Sequence, residues 1–201
     1  MGDHQKLNAA LALATVEVLQ NQIPVGEDQI RLGLEKVDWP GRLQLIQKPA
    51  GRKILLDGAH NAAGAKVLRA ALEKHFAGEK LVFIFGALAD KSWPDICRTL
   101  APLAVKIFTV PVASVRTADA QELAAAFRLA NPLAEVFVCD SLRAALEKSG
   151  APGGSPRQTR DLIVITGSLY LVGEALERLG FSPVDIGERV LNEWSQPVAP
   201  R

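Results

Sequence analysis

Apolar residues return every three or four positions near the start of the chain, at Leu7, Leu11, Ala14 and Val18. That spacing predicts an amphipathic helix over residues 5–20. A shorter helix follows over Gly26 to Lys36, with Ile30 and Leu34 expected on its buried side. The pattern then changes character. Pro40 and Gly41 break any helix, and Leu43, Leu45 and Ile46 open an extended segment.

Five short, nearly all-apolar runs next alternate with helical periodicity. KILLD (53–57) precedes a helix from Asn61 to Phe76, striped by Ala65, Leu68, Leu72 and Phe76. LVFIFG (81–86) precedes a helix from Trp93 to Leu100. VKIFTV (105–110) precedes a helix over 119–130, aligned on Leu123, Phe127 and Ala130. EVFVC (135–139) precedes Ser141–Lys148. DLIVITG (161–167) precedes Ser168–Leu179, with Leu169, Val172, Leu176 and Leu179 on one face. Parallel neighbours need crossover helices, and strands apolar on both sides suit a doubly covered sheet. The pattern therefore predicts an α/β, Rossmann-like domain, with a mostly parallel sheet and helices on both faces, over roughly residues 40–180. GAPGGSPRQTR (150–160) reads as a flexible surface loop. The tail is irregular until DIGERVLNEW, which is expected to form a short helix. The two leading helices stand outside the repeat and look like the end of another unit.

Composition narrows the function classes. With 201 residues, 48% of them hydrophobic, the chain can bury a substantial core. Twenty-three basic against 22 acidic residues leave a net charge of +1, so no broad field is available to hold nucleic acid or an anionic membrane. Cys97 and Cys139 lie in unrelated segments without ligand spacing, which suits a reducing cytoplasm better than a disulfide framework. The opening residues lack the basic region of a signal peptide. No apolar stretch reaches the roughly 18 residues of a membrane span.

Ligands of open α/β sheets collect beyond the carboxyl ends of the strands. Here those ends read Asp57-Gly58-Ala59-His60-Asn61, GALADKSW, PVASVRTAD and Gly167-Ser168. Each has an ordinary explanation. Asp57 and Asn61 are turn-makers and helix caps, His60 suits a solvated loop, and Ser168 is a common N-cap. TGSLYLVGE lacks the spacing and the lysine of a phosphate loop, and no G-x-G-x-x-G or G-x-S-x-G occurs. No set of residues has metal-ligand spacing. Spacing yields a fold and the edge of a site, but no reaction.

Four stretches taken together go further: GDHQKLNAALAL (2–13), WPGRLQ (39–44), LLDGAHNAAGA (55–65) and VITGSLYLVGE (164–174). Their order resembles that of folylpolyglutamate and dihydrofolate synthases, within the Mur ligase superfamily. FGALADKSWPDICRTLAP (85–102) and TVPVASVRTA (109–118) are similar to that family as well. The resemblance is to the C-terminal part only. It implies a domain organisation in which residues 1–38 are the last helices and linker of an N-terminal ATPase domain. Residues 39–201 then form a Mur ligase C-terminal domain. That ATPase domain carries the family's P-loop, magnesium ligands and a modified lysine, and its absence would leave the chain inactive alone.

The resemblance further implies an ATP-dependent ligase that joins L-glutamate to a folate through an acyl phosphate, with ATP and Mg2+ as cofactors. Asn8, Arg42 and Asp57 are expected on ATP. Arg42 suits the phosphates because guanidinium matches phosphate oxygens, and Asp57 suits ribose hydroxyls. His60 and Ser168 are expected on the incoming glutamate, Ser168 at a helix N-terminus where free amides favour a carboxylate. No catalytic residue and no metal ligand is assigned within the chain. Expected partners are folate or dihydropteroate, L-glutamate, ATP and the ATPase domain, in the cytoplasm. Two departures stand out. Ala62 replaces the usual proline, with little change expected beyond a less rigid helix start, and loop 150–160 is longer and more basic than usual. Lys91 reads as a loop-positioning residue without assigned chemistry. Two other readings stay open: a non-catalytic α/β binding module whose exposed leading helices promote self-association, and a related Mur-type peptide ligase. The choice between dihydropteroate and tetrahydrofolate as acceptor also stays open.

Overall fold

The chain was analysed as a computed structural model, which describes residues 3–47, 53–150 and 161–181. Residues 151–160 and the DIGERVLNEW segment lie outside them. The elements run α1 (Asp3–Leu19), α2 (Glu27–Glu35), β1 (Gln44–Gln47), β2 (Lys53–Leu56), α3 (Ala62–His75), β3 (Lys80–Phe85) and α4 (Trp93–Leu100). They continue with β4 (Ala104–Thr109), α5 (Ala120–Ala130), β5 (Glu135–Val138), α6 (Leu142–Ser149), β6 (Asp161–Thr166) and α7 (Leu169–Leu179). Local chemistry sets many of these boundaries. Asn61, Asp119, Ser141 and Ser168 each accept a first-turn amide with the side chain. Gly150 and Gly180 end α6 and α7 in the left-handed conformation that favours glycine.

The strands form one sheet in the order β1-β2-β6-β3-β4-β5. The five strands of the repeat are all parallel, as expected, while β1 pairs with β2 in antiparallel fashion. Side chains alternate across each strand, so one run of apolar residues serves two cores. Ile54, Leu56, Val82, Ile84, Ile163 and Ile165 pack under α6 and α7. Leu55, Leu81, Phe83, Phe85, Leu162 and Val164 face α3, α4 and α5. The β5 edge departs from the doubly buried pattern. Its residues alternate between exposed and half-buried, and the Phe137 ring stacks on Phe108 at 5.3 Å.

Two expectations about buried faces, on α2 and α7, are corrected, and the apolar stripe of α1 lies on its open side. On α1, Leu7, Leu11 and Val18 are 74%, 70% and 80% exposed, while Ala9, Leu13 and Val16 on the other side are half-buried. In α2 no residue is buried, and Leu34 is exposed beside a half-buried Ile30. In α7 Leu169 is exposed and Leu171 takes a place in the core. The physical reason is common to all three. A periodic apolar stripe says which residues can share a face, and the neighbours decide whether that face is covered.

Candidate functional site

The last strand in sequence, β6, inserts between β2 and β3. Chain direction across the sheet reverses there, the place where open α/β sheets form a crevice at their carboxyl rim. The loops leaving β2, β6, β3 and β4 all emerge at that rim, and two clefts open beside them.

The loop leaving β2 is held from within. The Asp57 amide continues the ladder by donating to the Ile165 carbonyl at 3.1 Å. Its buried carboxylate reaches both ways: Oδ2 accepts from the Leu43 amide and Oδ1 from the Ala59 amide, each at 3.0 Å. Leu43 has φ 45°, a left-handed conformation that disfavours a branched side chain. The carboxylate therefore clamps a strained turn, the one that carries Arg42. Gly58 donates to the Gly41 carbonyl at 2.9 Å, joining the same two segments. Asn61 caps α3 through the Gly64 amide at 2.7 Å, with Ala62 as the first helical residue. His60 Nδ1 lies 2.8 Å from the Gly58 carbonyl oxygen. A carbonyl only accepts, so this nitrogen donates, and Nε2 is the ring's remaining acceptor when the imidazole is neutral.

The larger cleft, about 420 Å³, lies between α1, the segment around Trp39 and the exit of β2. Asn8, Arg42 and Asp57 all line it, together with Trp39 and Leu43. The Arg42 guanidinium sits 5.7 Å from the centre of the exposed Trp39 ring, within cation–π range. An exposed cation, an aromatic face and an amide at Asn8 are groups that can bind a phosphorylated, ring-bearing ligand.

The smaller cleft, about 190 Å³, brings together His60, Leu88, Lys91, Arg116, Ser168 and Tyr170 at the crevice itself. The buried Ser168 hydroxyl caps α7 by accepting from the Tyr170 amide at 3.1 Å. Gly167 before it has φ +106°, and a Cβ there would fall 2.6 Å from the Gly86 carbonyl oxygen and against the Phe85 ring. Only glycine lets the chain turn from β6 into the cleft so close to β3. The loops after β3 and β4 are tied together. Ala89 donates to the Arg116 carbonyl at 2.8 Å and Ala118 to the Ala87 carbonyl at 2.9 Å. Arg116 NH1 also reaches Asp90 Oδ2 at 3.2 Å, and Lys91 Nζ lies 3.9 Å from the same oxygen.

All five residues singled out in the sequence line a cleft, Asn8, Arg42 and Asp57 in one, His60 and Ser168 in the other. Sequence reasoning read Lys91 as loop-positioning without assigning it chemistry, and the residue also lines the smaller cleft. That reasoning overlooked Arg116. The available signal was a cation in each of the two loops leaving β3 and β4. Among the described residues no group of three or more His, Cys, Asp and Glu could hold a metal ion, and no helix is long and apolar enough to cross a membrane. Cys97 and Cys139 are free and buried. Burial pushes the Cys97 thiol up to about 12 and also raises Cys139.

Residues 41–169 match the sequence family described as Mur ligase, glutamate ligase domain. Among curated relatives, the dihydrofolate synthase/folylpolyglutamate synthase of Bacillus subtilis is 30% identical over 181 residues, covering 89% of this chain and 40% of the relative. The folylpolyglutamate synthase of Lacticaseibacillus casei is 34% identical over 181 residues, covering 89% and 39%. The chain thus spans about two fifths of the length of these relatives. Among solved structures, Mycobacterium tuberculosis folylpolyglutamate synthase complexed with ADP and AMPPCP superposes with a TM-score of 0.74 at 32% identity. That match covers 91% of this chain and 41% of the other.

Proposed function

Since the chain belongs to the Mur ligase glutamate ligase domain family, we propose that it is the C-terminal, nucleotide- and glutamate-binding part of an ATP-dependent ligase that adds L-glutamate to a folate. The observation that carries this reading is the division of one short loop between two clefts. Asp57 faces the larger cleft and His60, three residues on, faces the smaller. A phosphorylated donor and an amine acceptor held in them meet across that loop, which is the arrangement amide formation needs.

ATP, when bound, supplies the phosphoryl group that activates the folate carboxylate as an acyl phosphate. The chain's own residues orient and neutralise. Arg42 pairs with phosphate oxygens from a turn that the Asp57 carboxylate keeps in place, and Trp39 backs its guanidinium. A carboxylate offers lone pairs to several donors, which suits Asp57 to a ribose hydroxyl at this cleft. Asn8 supplies an amide from α1. In the smaller cleft, Ser168 and the first turn of α7 receive a glutamate carboxylate. His60 Nε2, a free acceptor in the neutral ring, holds the ammonium group. The described residues offer no Mg2+ ligand set, and metal binding is assigned to the ATPase part that the relatives' greater length can hold.

In the same reading, α1 and α2 close that ATPase part, residues 39–201 being the C-terminal domain. The exposed stripe of Leu7, Leu11 and Val18 fits a helix built to be covered. Free, buried cysteines suit a reducing cytoplasm. Two measurements test the proposal. Titration calorimetry should detect ADP binding to the 201-residue chain, weakened about tenfold or more by Arg42→Ala, the loss of one charge-assisted contact. A phosphate-release assay with ATP, a reduced folate and L-glutamate should show no turnover by the chain alone. Sustained turnover, or ADP affinity indifferent to Arg42, refutes it.

A further inference from the structure

The smaller cleft contains two cations and, beside them, a carboxylate that belongs to the protein. Asp90 leaves β3, Lys91 follows it, and Arg116 arrives from the loop after β4. One oxygen, Asp90 Oδ2, faces both cations, 3.2 Å from Arg116 NH1 and 3.9 Å from Lys91 Nζ. All three side chains are between 38% and 53% exposed, so the pairs are of the weak, solvent-screened kind. The backbone around them is not loose. The Ala89–Arg116 and Ala118–Ala87 hydrogen bonds and the Leu88–Thr117 bridge fix the loops that carry them. The arrangement combines a rigid frame, two cations aimed at a cleft and an occupant that is easily displaced.

We infer that Asp90 stands in for a ligand carboxylate: it holds Arg116 and Lys91 over the cleft in the empty protein, and the side-chain carboxylate of the acidic amino-acid acceptor takes its place. The inference rests on the acceptor reading of this cleft and adds its selectivity device. Ser168 and the start of α7 lie at the opposite wall and suit the main-chain carboxylate. Arg116 and Lys91 then read the second carboxylate, and an uncharged side chain cannot win them from Asp90. The exchange swaps one ion pair for another, so the cations are never left unpaired. Discrimination therefore comes from the incoming charge rather than from the size of the cleft.

Binding of L-glutamate and L-glutamine to the 201-residue chain, followed by titration calorimetry at low salt, tests it. Asp90→Asn removes the competitor and should tighten L-glutamate about two- to fivefold, the span of exposed ion pairs. L-glutamine should be unaffected. Arg116→Gln should weaken L-glutamate about tenfold, and in that background Asp90→Asn should lose most of its benefit. If L-glutamate binds and His60→Ala weakens it, but Asp90→Asn leaves it unchanged or weaker, the displacement fails while the acceptor reading survives. Equal responses of glutamate and glutamine to Arg116→Gln overturn the displacement in the same way. If neither the parent chain nor Asp90→Asn binds L-glutamate saturably, the acceptor reading fails and takes the displacement with it.

Discussion

Replacing Asp57 by asparagine changes one atom and tests the role of that side chain. The carboxylate accepts from two amides, Leu43 and Ala59, each at 3.0 Å. The residue is only 8% exposed and Ala59 3%, so water replaces neither bond easily. Asparagine keeps one acceptor but turns an NH2 donor toward the other amide. One hydrogen bond to a charged group, about 1.5–3 kcal/mol, is lost, and a buried donor is left facing a donor. The surviving bond becomes neutral and weaker. Strain at Leu43, φ 45°, is then no longer held in check from this side. A total loss of about 2–4 kcal/mol follows, a large part of the stability of an ordinary domain. Urea unfolding of the 201-residue chain, monitored by far-ultraviolet circular dichroism, gives the comparison. The midpoint should fall with an unchanged m-value, because the surface exposed on unfolding stays the same. A variant within about 0.5 kcal/mol of the parent, the range of ordinary surface changes, would refute the clamp and leave Asp57 a ligand-facing residue only.

Gly167→Ala forces a Cβ to within 2.6 Å of the Gly86 carbonyl oxygen at φ +106°. Overpacking and backbone strain together should remove about 2–4 kcal/mol, seen as a lower melting temperature, and an unchanged one would mean the β3–β6 approach is soft. Cys97, raised to about 12 by burial, stays a neutral thiol in the folded chain and should resist dithionitrobenzoate at pH 8 until denaturant is added. Its folded pKa lies above the unfolded value near 9, so its contribution is complete below pH 9 and is lost as pH rises toward 12. Stability should fall there with a slope of up to 1.36 kcal/mol per pH unit, about one proton. Cys97→Ala should flatten that slope by the same amount, and an identical slope would contradict the burial of the thiol. Finally, Leu7→Glu with Leu11→Glu breaks the exposed stripe of α1. Light scattering after size exclusion should show concentration-dependent association of the parent chain that the double variant lacks. A parent that is monomeric at every concentration counts against a sticky stripe.

Much of this protein could be read along the chain. Short apolar runs and period-3.6 patterns record local geometry, and caps such as Asn61, Asp119 and Ser168 act within three residues of themselves. The helices, the five parallel strands and the two-sided sheet followed from those short-range signals. So did the rim on which the site lies, because strand ends are sequence positions. The division of Asn8, Arg42 and Asp57 from His60 and Ser168 was expected only through the likeness of their motifs to a family.

Other features depended on partners far apart in sequence. Whether Leu7 or Leu13 is the covered side of α1 depends on what lies next to the helix, which no periodicity encodes. That Asp57 clamps an amide 14 residues earlier, and that Asp90 meets Arg116 26 residues later, are consequences of folding. Above all, β6 lies between β2 and β3. That strand order is a long-range choice made by packing, and it draws four loops spread over more than a hundred residues to one rim. Local physics wrote the elements into the chain, whereas the cleft exists only where tertiary packing brings their ends together.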